Sequence, residues 1–332
     1  MKKLYIISTP YHLLISSVKT LLEHREGQDS IIIVKDAVPL EPRTNAKLIF
    51  KNVITSYNQY NVLLYTLLLK IQQSKIPLIS KIAQKKENKL STLFSNYSDI
   101  YIFDDNSYFG CWLNNAKIYY NHIEDGLNYL QFPLYKTKRM HIYELFYKFL
   151  GISWNYWGKS EYTKSIEVNE NKNLRIKHSN IIEKNRKQLF EQLSPKQIDL
   201  LAKIFDYHPL NKIEIGDKTL LITDPLFEDG IMSHAKKIQI YKHIVKNYAV
   251  GKLYIKMHPR EKEDYTKIFP DAIILGNQKM PFEIYQLKEN FRFKKAITTF
   301  STLINAIFCA DENISMGIEW TLNFPNQSSS SK

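Results

Sequence analysis

Short apolar runs that stop at polar or Pro-containing steps recur along this chain, with stretches of helical periodicity between them. Residues 4–7 form the first run and predict a buried strand; Ser8-Thr9-Pro10 then opens a helix whose apolar positions Leu13, Leu14, Val18, Leu21 and Leu22 share one face. A second strand is expected at 30–34, followed by a Pro-containing loop. Residues 48–85 read as helical and amphipathic, closed by a charged run at 84–89 that suits a solvated face. Strands are expected at 99–103 and 116–122, and residues 181–205 read as helix. Farther on, strands are expected at 218–223, 252–257, 272–275 and, last, 295–299, with helices at 238–244 and 281–287. Residues 328–331 are a Ser-rich tail expected to fray.

Strands alternating with helices predict parallel, doubly wound α/β sheets. A chain of 332 residues is long for one such domain and comfortable for two. The expected division is a Rossmann-like domain at 1–165, a connecting helical segment at 166–210 and a second Rossmann-like domain at 211–332. With 44% hydrophobic and 13% aromatic residues the chain is globular rather than disordered. Aromatics crowd residues 135–162, including Trp154, Tyr156 and Trp157, where a core or inter-domain cover is the plainer reading and a sugar-stacking platform the functional one.

The net charge of +13 points to an acidic partner: nucleic acid, anionic membrane, or a substrate carrying phosphate and carboxylate. The lysines are scattered and no zinc-finger, RNP-like or helix-turn-helix pattern occurs, so no nucleic-acid partner is expected. Cys111 and Cys309 stand alone without CxxC spacing, which argues against a disulfide framework or a zinc site and fits a reducing compartment. The apolar start of the chain breaks at Thr9-Pro10 and is read as a strand, not a signal peptide. No window has the 18 or so unbroken apolar residues of a membrane helix, and the run at 62–69 is far too short. The expected location is cytoplasmic, with basic faces suited to peripheral contact with the inner membrane surface.

Four polar elements fall where loops leave the carboxyl ends of predicted parallel strands, the edge at which open α/β sheets bind ligands. The first is Glu124-Asp125-Gly126: a carboxylate can take a proton from an attacking hydroxyl, and a following Gly lets the backbone turn sharply. The second is His258-Pro259, where proline biases the preceding residue to extended backbone. With Lys256, Arg260 and Lys262 nearby, this imidazole suits an anionic leaving group better than a metal, and no metal site is expected. A surface His beside a turn proline is the plainer reading. The third and fourth are Glu283 and the pair Ser301-Thr302, whose hydroxyls can cap the next helix and, with its amides, hold an anion. Asp104-Asp105-Asn106 is read as strand-end capping before acceptor contact, and Lys256 and Arg260 individually as solvated surface charges before anion partners.

An acidic-acidic-Gly motif in the first half, a His-Pro motif in the second and a hydroxyl pair beyond it resemble the bacterial sialyltransferases. The nearest likeness is to glycosyltransferase family 52, which includes lipooligosaccharide and capsule sialyltransferases. Residues 223–230, ending in Glu228-Asp229-Gly230, and the Met280-Pro281-Phe282-Glu283-Ile284 stretch also resemble that family. The resemblance implies a GT-B fold, two Rossmann-like domains facing a central cleft, with CMP-sialic acid as donor substrate, no cofactor and no metal. It makes Asp125 the general base and His258 the group that contacts and protonates the CMP phosphate. Glu283 becomes a ribose ligand and Ser301 and Thr302 phosphate ligands, although Thr302 stands where many relatives have a second Ser. Glu124, Gly126 and Pro259 shape the substrate loops, and Asp229 and Gly230 form a donor loop. The implied reaction is inverting direct displacement of CMP by a galactose-terminated glycan of lipooligosaccharide or capsule; a homodimer is the partner arrangement entertained. The rivals are another GT-B transferase using a donor such as CMP-Kdo or a nucleotide-diphosphate sugar, and a non-enzymatic basic protein binding nucleic acid or anionic membrane.

Overall fold

The computed structural model describes residues 2–34, 38–55, 66–67, 91–126, 130, 144–145, 147–149, 152, 157–209, 216–276, 279–289 and 292–325. It divides into two compact units, Met1–Asp206 and Tyr207–Lys332. In the first, β1 (Lys3–Ile7) leads into α1 (Pro10–Leu22), followed by β2 (Ser30–Ile33), α2 (Leu40–Asn45), β3 (Asn52–Ile54), β4 (Asp99–Ile102) and α3 (Tyr108–Asn115). The unit continues with β5 (Tyr120–Ile123), β6 (Thr163–Val168), β7 (Ile181–Glu183), α4 (Arg186–Glu191) and α5 (Pro195–Ile204). The strands pair in the order β3-β2-β1-β4-β5-β6-β7, all parallel. Successive side chains on a strand point to opposite faces. Leu4 and Ile6 of β1 therefore join Ile32, Ile100, Ile102 and Trp112 in one buried cluster.

The second unit holds β8 (Lys218–Ile222), α6 (His234–Tyr248), β9 (Lys252–Lys256), α7 (Tyr265–Ile268), β10 (Ile273–Ile274), α8 (Phe282–Lys288), β11 (Phe293–Thr298), β12 (Ala310–Ser315) and α9 (Ile318–Asn323). Its strand order is β10-β9-β8-β11-β12, again all parallel. In each sheet the direction of winding reverses once, between β1 and β4 and between β8 and β11. A reversal leaves a crevice outside the strands' carboxyl ends, the usual ligand position of doubly wound sheets.

Several elements differ from the pattern-based reading. The strand expected at 116–122 begins only at Tyr120, because Ala116 and Lys117 close α3: the Ala116 N–H donates to the Trp112 carbonyl at 2.8 Å and Lys117 turns the chain at φ 57. Residues 181–205 are not one helix; Ile181–Glu183 is an edge strand, as its β-branched pair favours, and Asn185 and Ser194 each cap a separate helix. Residues 166–206 thus carry the end of β6 and all of β7 in the first sheet and belong to the first compact unit. β11 is not the last strand: β12 lies beyond it, and its exposed, charged residues hide it from an apolar scan. Within the helical stretch expected at 48–85, Asn52–Ile54 is strand β3. Most of the rest of that stretch lies outside the described residues, as do 84–89, Trp154, Tyr156 and 328–331. Among the described residues no helix is long and apolar enough to cross a membrane.

The helix that follows β1 is buried along nearly its whole length, and a buried charge on it needs a partner. Lys19 pairs with Glu167 of β6, whose other oxygen takes Arg186 Nη1 of α4 at 2.6 Å. Burial pushes the Glu167 carboxyl up, but the charges and hydrogen bonds of Lys19 and Arg186 overcome it and hold it at about 2. A depressed carboxyl contributes stability above its unfolded value near 4.5 and loses it as pH falls through about 2. Glu167→Gln leaves two buried cations without their carboxylate, at a cost of roughly 3–5 kcal/mol. The expected outcome is a matching loss of hydrogen-exchange protection for the β1 and β6 amides of the whole chain, with β8 and β9 unaffected. Unchanged protection in β1 would show that the triad is incidental.

Candidate functional site

In the first unit the site begins where β1 ends. Thr9 takes an extended conformation and its hydroxyl accepts the His12 N–H at 3.2 Å, while Pro10 fills the first helical position with the φ it already has. This fixes His12 in the first turn of α1, fully buried. The Ser8 N–H donates to His12 Nδ1 at 3.2 Å, so the neutral ring carries its proton on Nε2. Nε2 lies 2.6 Å from Asp125 Oδ1, and the ring stacks on Phe103 with centroids 4.2 Å apart and planes 8° from parallel. Three strand ends around the reversal point therefore meet: β1 through His12, β4 through Phe103 and β5 through Asp125.

The adjacent carboxylates after β5 are put to different uses. Glu124 is buried, and its oxygens accept the backbone N–H groups of Leu130 and Asn169, each at 2.9 Å. Burial raises its carboxyl, partly offset by those two hydrogen bonds. The Asp125 side chain is 48% exposed, and Gly126 turns the chain at φ 88, in the region that favours glycine. Desolvation pushes the Asp125 carboxyl up, but the charge and hydrogen bond of His12, with the charge of His122, bring it below its ordinary value. Asp105 is buried and accepts the N–H groups of Trp157 and Gly158 at 2.8 and 2.7 Å, a bracing role. Asp104 accepts the Asn106 N–H at 3.0 Å; burial, then the charges of Asp125 and Asp105, raise its carboxyl to about 6.

In the second unit the loops after β8, β9 and β11 are tied together by buried carboxylates. Asp224 accepts the Phe300 N–H at 3.1 Å and the hydroxyls of Thr298 and Thr299, which fastens the β8 exit to the β11 exit. Glu261 accepts the His258 N–H at 3.0 Å, the Tyr265 hydroxyl at 2.7 Å and the Thr223 hydroxyl, and it pairs with the buried Lys237 at 2.9 Å. Glu228 also pairs with Lys237, at 3.2 Å, whereas Asp229 turns outward to Arg260 Nη1 at 2.8 Å. Gly230 then reverses the chain at φ 68. The two acidic-acidic-Gly stretches thus share a layout: an inward Glu, an outward Asp and a glycine of positive φ.

His258 stands at the carboxyl end of β9, followed by the exposed Pro259. Its Nδ1 accepts the Arg260 N–H at 3.2 Å, which places the proton of the neutral ring on Nε2. Burial, then the charges of Arg260 and Lys256, push this imidazole down to about 4. Lys256 is not the solvated charge its neighbourhood suggests: the last residue of a central strand, it is 4% exposed, and burial, partly offset by Glu283 and Glu261, lowers its amine to about 8. Glu283 is equally buried in the first turn of α8, its carboxyl raised by burial against the opposing pull of its own backbone and of Lys256. Ser301 caps a five-residue 3₁₀ turn, Thr302–Ala306, accepting the Leu303 N–H at 3.4 Å. The helix amino terminus expected there is thus only a short turn with two hydroxyls.

Asp125, Glu124 and Gly126 belong to the first unit and His258, Pro259, Glu283, Ser301, Thr302, Asp229 and Gly230 to the second. His12, Asp224, Lys237 and Glu261 were not assigned roles from the sequence. For His12 and Glu261 a local signal exists: each follows a strand end by a few residues, inside the Thr9-Pro10 and His258-Pro259 punctuation. Among the described residues no group of three His, Cys, Asp or Glu stands where it could hold a metal ion.

The fold is similar to that of a 2,6-sialyltransferase from Vibrionaceae Photobacterium sp. JT-ISH-224, solved in a ternary complex with the donor product CMP and the acceptor substrate lactose. The match covers 94% of this chain and 71% of that one, with 12% identity and a TM-score of 0.54. A sialyltransferase from Photobacterium damsela matches with a TM-score of 0.48 and 14% identity, over 94% of this chain and 73% of that one. The likeness and the two parallel-sheet units identify the fold as GT-B. An uncharacterized protein of Haemophilus influenzae is 43% identical over 88 residues, 26% of this chain and only 28% of that relative's length. The sequence profile of glycosyltransferase family 52 matches residues 47–314, a span containing both acidic-acidic-Gly stretches, the His-Pro step and Ser301-Thr302. The chain belongs to glycosyltransferase family 52.

Proposed function

We propose that the protein is a sialyltransferase, moving sialic acid from CMP-sialic acid to a terminal galactoside of a surface glycan such as lipooligosaccharide or capsule. The observation that carries this reading is His258. It is a neutral N–H donor at the end of the strand next to β8, and burial, then the charges of Arg260 and Lys256, depress it to about 4. CMP leaves with a single phosphate, whose charge an imidazole and a few hydroxyls can offset without a divalent cation. In this reading Ser301 and Thr302 hold the phosphate, Glu283 contacts the ribose, and the loop through Asp229 and Gly230 closes on the donor. The +13 net charge suits a donor that carries a carboxylate as well as a phosphate.

The acceptor hydroxyl forms its bond to the anomeric carbon as the bond from that carbon to the phosphate oxygen breaks, with inversion. Asp125 takes the hydroxyl proton: it is the half-exposed member of its pair, whereas both oxygens of Glu124 already serve the backbone. The electron pair leaves with the phosphate, and His258 donates to it through Nε2. Asp125→Asn keeps shape but cannot accept the proton, so transfer to a galactoside should fall by ~10²–10⁴-fold while CMP binds as before. His258→Ala should lower turnover by about 10²–10³. Calorimetric CMP binding and transfer measured on the same preparations check both. Wild-type transfer by Asp125→Asn, or by His258→Ala, would remove the corresponding residue from the site.

A depressed imidazole also predicts proton linkage. A phosphate beside His258 favours its charged form, so the bound complex holds more protons than the free protein and its ligand at pH between about 4 and 6.5. CMP binding near pH 5.5 should therefore take up protons beyond the ligand's own ionisation, and His258→Gln should abolish that excess. Calorimetry in buffers of different ionisation enthalpy reads it, and equal uptake in the two proteins would contradict contact between His258 and the phosphate.

A further inference from the structure

We propose that His12 is a positioning residue for transfer, holding the Asp125 carboxylate in one orientation and in its anionic form; this rests on the reading of Asp125 as the base. The geometry makes the ring a fixture. Its backbone N–H is held by the Thr9 hydroxyl at 3.2 Å, its Nδ1 meets the Ser8 N–H at 3.2 Å and the Ser8 hydroxyl at 3.3 Å, and its face lies on Phe103 at 4.2 Å. The remaining nitrogen, Nε2, points at Asp125 Oδ1 from 2.6 Å.

An exposed carboxylate needs no such partner for stability, and ion pairs at the surface contribute little. A polar ring buried completely in the first turn of a core helix is, by contrast, a cost that an apolar residue would avoid. What the arrangement achieves is orientation: with Oδ1 fixed by the imidazole, the proton of the acceptor hydroxyl goes to Oδ2 as its oxygen bonds to the anomeric carbon. A supporting residue that locks the rotamer of a reacting group keeps it within the narrow tolerance catalysis requires. The other charged groups around Asp125 come from β4 and β5: the Asp125 charge helps to raise the Asp104 carboxyl, and the buried His122 favours the Asp125 anion. His12 is the larger of the favourable influences, so its removal moves the Asp125 carboxyl upward.

The test uses the whole chain and three substitutions. His12→Leu and His12→Asn withdraw the donor, the first apolar and the second polar but too short, whereas His12→Gln places an amide N–H near the position of Nε2. The Asp125 carboxyl is followed by ¹³C NMR titration, and transfer from CMP-sialic acid to lactose is followed as a pH–rate profile. In His12→Leu and His12→Asn the Asp125 carboxyl should titrate higher than in the wild-type protein. The acid limb of the rate profile should move with it, and transfer should fall roughly 10- to 100-fold, the scale of a misplaced catalytic group. CMP affinity should stay unchanged. His12→Gln should return the titration and the acid limb toward wild type. Asp125 titrating at its wild-type position in whichever of His12→Leu and His12→Asn folds overturns the inference, and so does a His12→Gln protein as impaired as His12→Leu. Absence of any transfer by the wild-type protein would sink the sialyltransferase reading instead, while the titration still decides whether His12 governs Asp125.

Discussion

Backbone N–H groups leaving the carboxyl ends of parallel strands have lost their ladder partners, and buried ones must be satisfied by something. In this protein that something is repeatedly a buried carboxylate. Glu124 accepts from Leu130 and Asn169, Asp105 from Trp157 and Gly158, Asp224 from Phe300, and Glu261 from His258. The bonds of Glu124 to Asn169, of Asp105 to Trp157 and Gly158, and of Asp224 to Phe300 join the exit of one strand to a segment distant in the chain, whereas those to Leu130 and His258 brace their own loops. The loops at the carboxyl edge of both sheets are therefore held by charge-assisted hydrogen bonds, which are the stronger kind.

That constraint divides neighbouring acidic residues by use. Where a carboxylate is turned inward, its lone pairs are taken by backbone or by a buried cation, as in Glu124 with its two amides and Glu228 with Lys237. The residue that follows is turned outward and stays available to partners: Asp125 to His12, Asp229 to Arg260. A positive-φ glycine after each pair completes the turn. The same edge holds His258 neutral through burial and the charges of Arg260 and Lys256, which makes it responsive to an incoming anion.

Much of the architecture is legible in the sequence because parallel strands buried on both faces read as short, unbroken apolar runs. Residues 4–7, 30–34, 99–103, 218–223 and 252–257 are found this way, and the polar stop after each marks the ligand edge. β7 and β12 escape because edge strands need not be apolar, and the mixed stretch before Ile204 conceals two capped helices behind one helical signal. The contact between His12 and Asp125 spans 113 residues, and no local pattern announces a pairing at that distance. Burial of Lys256 was hidden for a related reason: a lysine at a strand end reads as surface until the strands on both sides of β9 are known to enclose it.

The proposed activity is transfer of sialic acid from CMP-sialic acid to a galactoside. The most direct measurement is the mass of product and the amount of free nucleotide after incubation of the whole chain with lactose and, separately, CMP-sialic acid, CMP-Kdo and nucleotide-diphosphate sugars. The predicted result is lactose heavier by one sialyl residue, with CMP released in equal amount, from CMP-sialic acid alone. Product from CMP-Kdo or from a diphosphate donor, with none from CMP-sialic acid, would contradict it.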